Sequence, residues 1–132
     1  MHVVIMGCGR TGSLLATMLV EDGHQVSVID WLESAFNRLP ENFPGKTVVG
    51  NAIDQDVLID AGIQQADAFV AATSGDNRNV MASEVVQHVF RVPRVISRVK
   101  DPDRARIFHS LGIDVDCRTV QGTEVVLELI SP

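Results

Sequence analysis

Val3-Val4-Ile5-Met6-Gly7-Cys8-Gly9-Arg10-Thr11-Gly12 is the stretch that decides the fold. Four apolar residues, three of them β-branched, read as a buried strand. The three glycines fit G-x-G-x-x-G, and Leu14, Leu15, Met18 and Leu19 then recur at helical spacing as far as Glu21, before Asp22-Gly23-His24 supplies a stop. Glycine triplets arise by chance, so the pattern draws its weight from context. A strand precedes it, an amphipathic helix follows, and Asp30 stands 18 positions after Gly12 at the end of the next apolar run, Val26, Val28 and Ile29. Each position then has a physical task. Gly7 permits a tight turn, Gly9 lets the backbone approach a phosphate, Gly12 allows close helix-to-strand packing, and the free N–H groups at the helix start meet a pyrophosphate. Asp30 is suited to accept hydrogen bonds from ribose hydroxyls, and its charge repels a 2′-phosphate. The expected ligand is therefore NAD(H), ATP or ADP, with NADP disfavoured.

Outward from this unit the alternation continues. Trp31 to Leu39 reads as a short helix closed by Pro40, Thr47 to Val49 as a strand, and Asp54 to Ala61 as a helical turn or two ended by Gly62. Ala68 to Ala72 is a strand, Asn77 to Phe90 a helix, and Val95 to Val99 another strand. Asp101-Pro102-Asp103 opens the next helix, Val115 lies in a weak final strand, and Gly122 to Ile130 forms the last helix. Six strands alternating with helices in two halves predict an α/β fold: a Rossmann-like, doubly wound parallel six-stranded sheet of order 3-2-1-4-5-6 with helices on both faces. The 132 residues read as a single nucleotide-binding domain, 1–132, and a chain that stops directly after a helix is consistent with excision from something longer.

Composition narrows the function. Apolar residues at 45% and charged residues at 21% are those of a folded domain rather than a disordered chain. A net charge of −6 lacks the footprint of a nucleic-acid binder. No apolar run approaches the roughly 18 to 20 residues of a membrane span, and Met1-His2-Val3 enters a strand without a basic leader. Cys8 and Cys117, 109 positions apart, suggest neither a disulfide framework nor a zinc cluster, which fits a reducing cytoplasm. His2, His24, His88 and His109 show no ligand spacing, so no metal is expected. The absence of tyrosine removes dehydrogenases that use a Tyr acid, and no catalytic residue is expected either.

Several residues beside the glycines are candidates for the site. Arg10 reads either as a bidentate phosphate donor or as a solvated first-turn residue. Cys8 reads as a small filler of the turn more readily than as a reactive thiolate. Thr11 belongs to the same loop, and Trp31 reads equally as a flank for adenine or as an exposed helix-start aromatic. Two further loops end at the same sheet edge. Gly50-Asn51-Ala52 follows strand three and suits an adenine edge. Ala72-Thr73-Ser74-Gly75-Asp76-Asn77 follows strand four, where the strand order reverses, and suits a ribose or phosphate. Asp76 and Asn79 are candidates here, with a helix N-cap and a first-turn surface residue as their alternative readings. Arg98, ending strand five, points to the same crevice, toward a ligand phosphate or an acidic neighbour.

The order of these motifs resembles the regulator of potassium conductance, or KTN, domain, the N-terminal module of Trk and Ktr potassium-uptake regulatory subunits and of some channel gating domains. The resemblance is carried by Val3 to Gly12, Asp30, Gly50-Asn51-Ala52 with Asp56-Val57-Leu58 and Ala61-Gly62-Ile63, Asp67 to Thr73, Asp76 with Asn79, Ile96-Ser97-Arg98-Val99 leading to Asp101-Pro102, and Leu111-Gly112. It implies a non-catalytic nucleotide sensor, cytoplasmic and peripheral at the inner face of the membrane. Such a sensor assembles as homodimers and higher rings on a membrane-embedded potassium transporter or channel subunit. Two positions depart from the family pattern. Asn51 stands where Asp is usual beside the adenine, and Thr119-Val120 stands where a Pro-Glu pair often faces a divalent ion. The apolar Val125, Val126, Leu127, Leu129 and Ile130 of the last helix exceed what one sheet face can cover and predict a dimer contact. The competing reading is the cofactor half of an NAD-dependent dehydrogenase, which shares the fold.

Overall fold

A computed structural model describes all residues, 1–132. The apolar run at the N-terminus forms β1 (His2–Met6), and α1 (Arg10–Glu21) returns the chain to β2 (Gln25–Asp30). A 3₁₀ helix over Glu33–Arg38 takes the place of the expected short α-helix and leads to β3 (Lys46–Val49). The crossover to the other half contains α2 (Gln55–Asp60) and a 3₁₀ turn at Ile63–Gln65. Then follow β4 (Ala68–Ala71), α3 (Asp76–Val85) with a π-helical continuation over Val86–Phe90, β5 (Arg94–Arg98), α4 (Pro102–Ser110), β6 (Asp114–Asp116) and α5 (Arg118–Ile130). The six strands pair in parallel in the order β3-β2-β1-β4-β5-β6, as the alternation predicts.

The central strands β1, β2 and β4 are buried on both faces, which is why they read as nearly continuous apolar runs rather than alternating ones. On one face Val4, Met6, Ile29, Phe69 and Val95 pack with Leu58, Ile63, Ala82 and Val86 from α2 and α3 and their continuations. On the other, Val3, Ile5, Val26 and Val28 pack with Ala16 of α1 and with Ala35 and Leu39 of the 3₁₀ segment. A small third cluster joins Val80, Val99, Ala105 and Cys117. The last helix differs from the others. It begins at Arg118, four residues before Gly122, and none of its residues is buried. No helix is long and apolar enough to cross a membrane.

The register of the central strands assembles the site. Met6 pairs with both Ile29 and Ala71, and Asp30 pairs with Val49. One hydrogen bond beyond each pairing, Gly7 N–H donates to Ile29 O (2.7 Å), Ala72 N–H to Met6 O (2.8 Å) and Gly50 N–H to Asp30 O (3.0 Å). The glycine loop, the end of β2 and the loops after β3 and β4 therefore leave the sheet side by side at its carboxyl edge.

Candidate functional site

The glycines of the loop have three different surroundings. Gly7 has φ +103°, a left-handed backbone that disfavours a side chain, and a Cβ there would lie 3.1 to 3.2 Å from Thr73 and Ala72. Gly12 lies so near the strand end that a Cβ would fall 1.8 Å from Gly7 O. Gly9 caps α1, and nothing lies within 4 Å of where its Cβ would be. The loop thus holds its own shape through Gly7 and Gly12 and presents open space at Gly9, beside the free N–H groups of α1. That is a cradle of the kind a phosphate requires.

A cleft in two lobes opens over this edge. One lobe, about 360 Å³, is walled by Met6, Gly7, Ile29, Asp30, Trp31, Gly50, Asn51, Ala52, Thr73 and Arg78. The other, about 540 Å³, is walled by Gly7 to Thr11, Asp30 to Leu32, Ala35, Arg38, Ala72 to Ser74, Arg78, Arg98 and Arg118. Gly7, Asp30, Trp31, Thr73 and Arg78 belong to both. The first lobe has the half-apolar, amide-edged character of a base site, and the second has the charge of a phosphate site.

Asp30 sits at the junction, and its carboxylate is already partly engaged. Oδ2 accepts from Cys8 N–H (2.8 Å) and Oδ1 from Leu32 N–H (2.9 Å), so it locks the glycine loop to the end of β2. Each oxygen retains acceptor capacity toward the cleft. Cys8 is fully buried, and burial, helped by the Asp30 charge and opposed by Arg38, raises its thiol above the ordinary range. A raised pKa keeps the thiol protonated, which fits the filler role rather than a nucleophile.

Against a chain of net charge −6, the phosphate lobe gathers five arginines, Arg10, Arg38, Arg78, Arg98 and Arg118, with Asp30 as its one acidic wall residue. Arg98 Nε is buried without a hydrogen-bond partner, an orphaned donor that an anion in the lobe would satisfy. Arg38 donates from Nη1 to Cys8 O at 3.4 Å. A diphosphate-bearing nucleotide fits this donor set and the Gly9 cradle together.

Of the residues singled out in the sequence, Gly7 to Thr11, Asp30, Trp31, Asn51, Ala52, Ala72, Thr73, Ser74 and Arg98 line the cleft. Trp31 is 63% exposed at its mouth. Asn51 Oδ1 accepts from Ile53 N–H in a local turn, leaving the amide nitrogen for a base. Gly12 lies behind the loop and acts through packing. Asp76 and Asn79 stand behind the wall. Asp76 is not the N-cap, a position held by Gly75; its carboxylate accepts from the N–H of Lys100 and of Asp101, tying the start of α3 to the loop after β5. Nor is Asn79 a surface residue. It is fully buried, with Oδ1 accepting from Thr73 N–H and Oγ1–H and Nδ2 donating to Thr73 O and Arg98 O.

Arg38, Arg78 and Arg118 were not foreseen. Arg78 was accessible to sequence reasoning as a first-turn residue of the helix at the point of strand reversal. Arg118 was hidden by placing the start of the last helix too late, and Arg38 carries no local signal. No group of three His, Cys, Asp or Glu side chains is arranged to hold a metal ion.

Comparison with known proteins agrees with this architecture. The TrkA-N domain family matches residues 3–117. The Trk system potassium uptake protein TrkA of Streptomyces coelicolor is 50% identical over 113 residues, 86% of this chain and 51% of that protein, so the chain spans about half the relative's length. Among solved structures, the TrkA-N domain of the inner membrane protein ybaL from Escherichia coli superposes with a TM-score of 0.88 at 21% identity, over 98% of this chain and 96% of that one. The GsuK channel bound to NAD superposes with a TM-score of 0.81 at 24% identity, over 97% of this chain and 23% of the channel chain. With the β3-β2-β1-β4-β5-β6 sheet, the glycine loop and a family match that runs from β1 to the threshold of α5, the chain belongs to the TrkA-N domain family.

Proposed function

We propose that this domain is a non-catalytic nucleotide sensor that regulates a membrane-embedded potassium transporter or channel, to which it is attached at the cytoplasmic face. The observation that carries the reading is the open cradle at Gly9 facing five arginines, with Asp30 at the junction to a base-sized lobe. NAD(H), ATP and ADP suit that arrangement, and Asp30 disfavours NADP. The role in potassium transport is supported by the name of the Streptomyces relative and by the channel whose domain shares this fold.

Calorimetric titration with NADH, NAD, ATP, ADP and NADPH tests the ligand. Gly9→Leu puts a side chain into the cradle from a position where a Cβ meets nothing within 4 Å, and should remove binding while leaving the unfolding transition in place. Asp30→Ala should weaken ribose-bearing ligands by about 1 to 3 kcal/mol, the cost of losing hydrogen bonds to a charged group. Unchanged affinity in both variants would falsify the site. The TrkA-N match over residues 3–117 and the potassium-uptake name of the Streptomyces relative support a sensor over the dehydrogenase reading. Accordingly, NADH mixed with 2-keto acids and the protein should show no decline of the nicotinamide absorbance, and a protein-dependent decline would favour the enzyme.

The same reading includes a homodimer, extended to a ring in the full assembly. Leu127, Leu129 and Ile130 are 60%, 80% and 73% exposed on α5, and Val125 and Val126 are exposed beside them. Covering that helix with a second copy would contribute about 1.5 to 3 kcal/mol for each large side chain removed from water. Light scattering at tens of micromolar should give twice the chain mass, reverting to the monomer when Val126 and Ile130 are both replaced by Asp. A monomeric mass for the parent chain, or a dimer that survives both substitutions, counts against it.

A further inference from the structure

A second cavity, of about 440 Å³, opens at the amino edge of the sheet, at the opposite end of the strands from the nucleotide cleft. His2, Gln25 and Lys46 in its wall are the first residues of β1, β2 and β3. Strand register sets its polar row. Ser27 pairs with both Val4 and Lys46, and His2, two residues before Val4, shares their face of the sheet. The end of α2 at Asp60, with Gly62, and the segments at His24 and Gly45 complete the wall.

Two side chains here carry donors that the fold leaves unspent. Lys46 Nζ donates to Asp60 O at the end of α2, which uses one of its three N–H groups, and it forms no ion pair with any carboxylate. His24 Nδ1 accepts from Met1 N at 3.1 Å, so the proton of the neutral imidazole sits on Nε2, which has no partner in the chain. The Gly45 N–H in the same wall makes no hydrogen bond within the chain either. His2 holds the shape of the site. Its Nε2 meets the buried Ser27 Oγ at 3.1 Å, and its ring lies against Gly62, where a Cβ would fall 2.6 Å from Cε1.

An ammonium, an imidazole N–H and a main-chain N–H around one cavity form a donor set for an oxyanion, whose charged oxygens accept stronger hydrogen bonds than neutral ones. Asp60 is the one carboxylate in the wall, and no group of three ligating side chains would hold a metal ion instead. We infer that this amino-edge cavity binds a small oxyanion, a phosphate monoester or a carboxylate, through Lys46, His24 Nε2 and the Gly45 N–H. The site shares no residue with the nucleotide cleft, so it stands or falls independently of the sensor reading.

Titration of the isotope-labelled chain with inorganic phosphate and, separately, with succinate, followed by the amide and imidazole resonances, tests it. At least one of the two anions should give saturable shifts at Gly45, Lys46 and His24, and the one that saturates at lower concentration identifies the class. K46Q should weaken that binding about tenfold, the loss of a charge-assisted hydrogen bond, while K46R keeps the charge and should retain it. H24F removes the imidazole donor and should weaken it severalfold. Shifts that grow without saturation for both anions, or that appear only over Gly7 to Gly12, overturn the proposal. So does an affinity that either K46Q or H24F leaves unchanged. If Lys46 serves only to cap α2, K46Q lowers the urea unfolding midpoint while the parent shows no saturable shift at the amino edge, and the inference fails.

Discussion

Replacing Gly12 with alanine should destabilise the domain by about 3 kcal/mol, the upper part of the range for overpacked sites, and should abolish nucleotide binding with it. Helix propensity alone predicts the opposite sign, because alanine in place of glycine inside a helix is worth about 1 kcal/mol. What reverses the sign is the 1.8 Å separation between an added Cβ and Gly7 O. The carbonyl cannot turn aside. Gly7 is held by its N–H bond to Ile29 O (2.7 Å), with Ala72 and Thr73 so near that a Cβ on Gly7 would lie 3.1 to 3.2 Å from them. Either α1 must lift from the sheet, opening the cluster around Val3, Ile5 and Ala16, or the loop must abandon the geometry that forms the cradle. Gly122 supplies the internal control. It too lies inside a helix, α5, but nothing lies within 4 Å of its Cβ position, so Gly122→Ala should stabilise by about 1 kcal/mol. Urea unfolding midpoints of the two variants should move in opposite directions. A Gly12→Ala protein as stable as the parent would mean that the close approach of helix and strand is not a constraint on this fold.

The same contrast explains how much was legible in the sequence. The apolar runs, the glycine spacing and the distance to Asp30 depend on local chain geometry, and they locate β1, α1, β2 and the reversal point after β4. Asp101 and Pro102 did likewise for α4, where the Asp101 carboxylate accepts from Asp103 N–H and Pro102 occupies the first turn. The start of α5 is hidden because Thr119, Val120 and Gly122 are modest or poor helix formers, and no residue of the helix is buried to mark where it begins. The arginines were missed for a different reason. Arg38 and Arg118 reach the lobe from segments that flank it on opposite sides, a relation set by the order of the strands and not by spacing along the chain. Asp30 was placed correctly at the edge, yet its bonds to Cys8 and Leu32 depend on how the loop folds back over β2.

Asn79 is where sequence reasoning and structure part most, and its replacement by alanine should cost about 3 kcal/mol or more of stability, with weaker nucleotide binding as a consequence rather than a cause. As a first-turn polar residue near the strand reversal it reads as a ligand contact or a surface side chain. In the fold it is fully buried and joins two segments that meet nowhere in sequence. Its Oδ1 accepts from Thr73 N–H at 3.1 Å and from Thr73 Oγ1–H at 2.6 Å, and its Nδ2 donates to Thr73 O at 3.0 Å and Arg98 O at 2.9 Å. Alanine leaves one backbone donor and two carbonyl oxygens without those partners in a protected place, at about 1 to 3 kcal/mol for each group that stays dry. Asn79→Asp should fare little better, since a carboxylate keeps the bonds from Thr73 but sets negative charge against the two carbonyls. Because Thr73 lines both lobes and Arg98 supplies the orphaned Nε, loosening this clamp also blurs the phosphate wall. Urea unfolding and nucleotide titration on the same variant separate the two roles. A clamp predicts a lower unfolding midpoint, with part of the affinity surviving at saturating protein stability, for example in a stabilising osmolyte. Full stability with affinity lost would show instead that Asn79 touches the ligand.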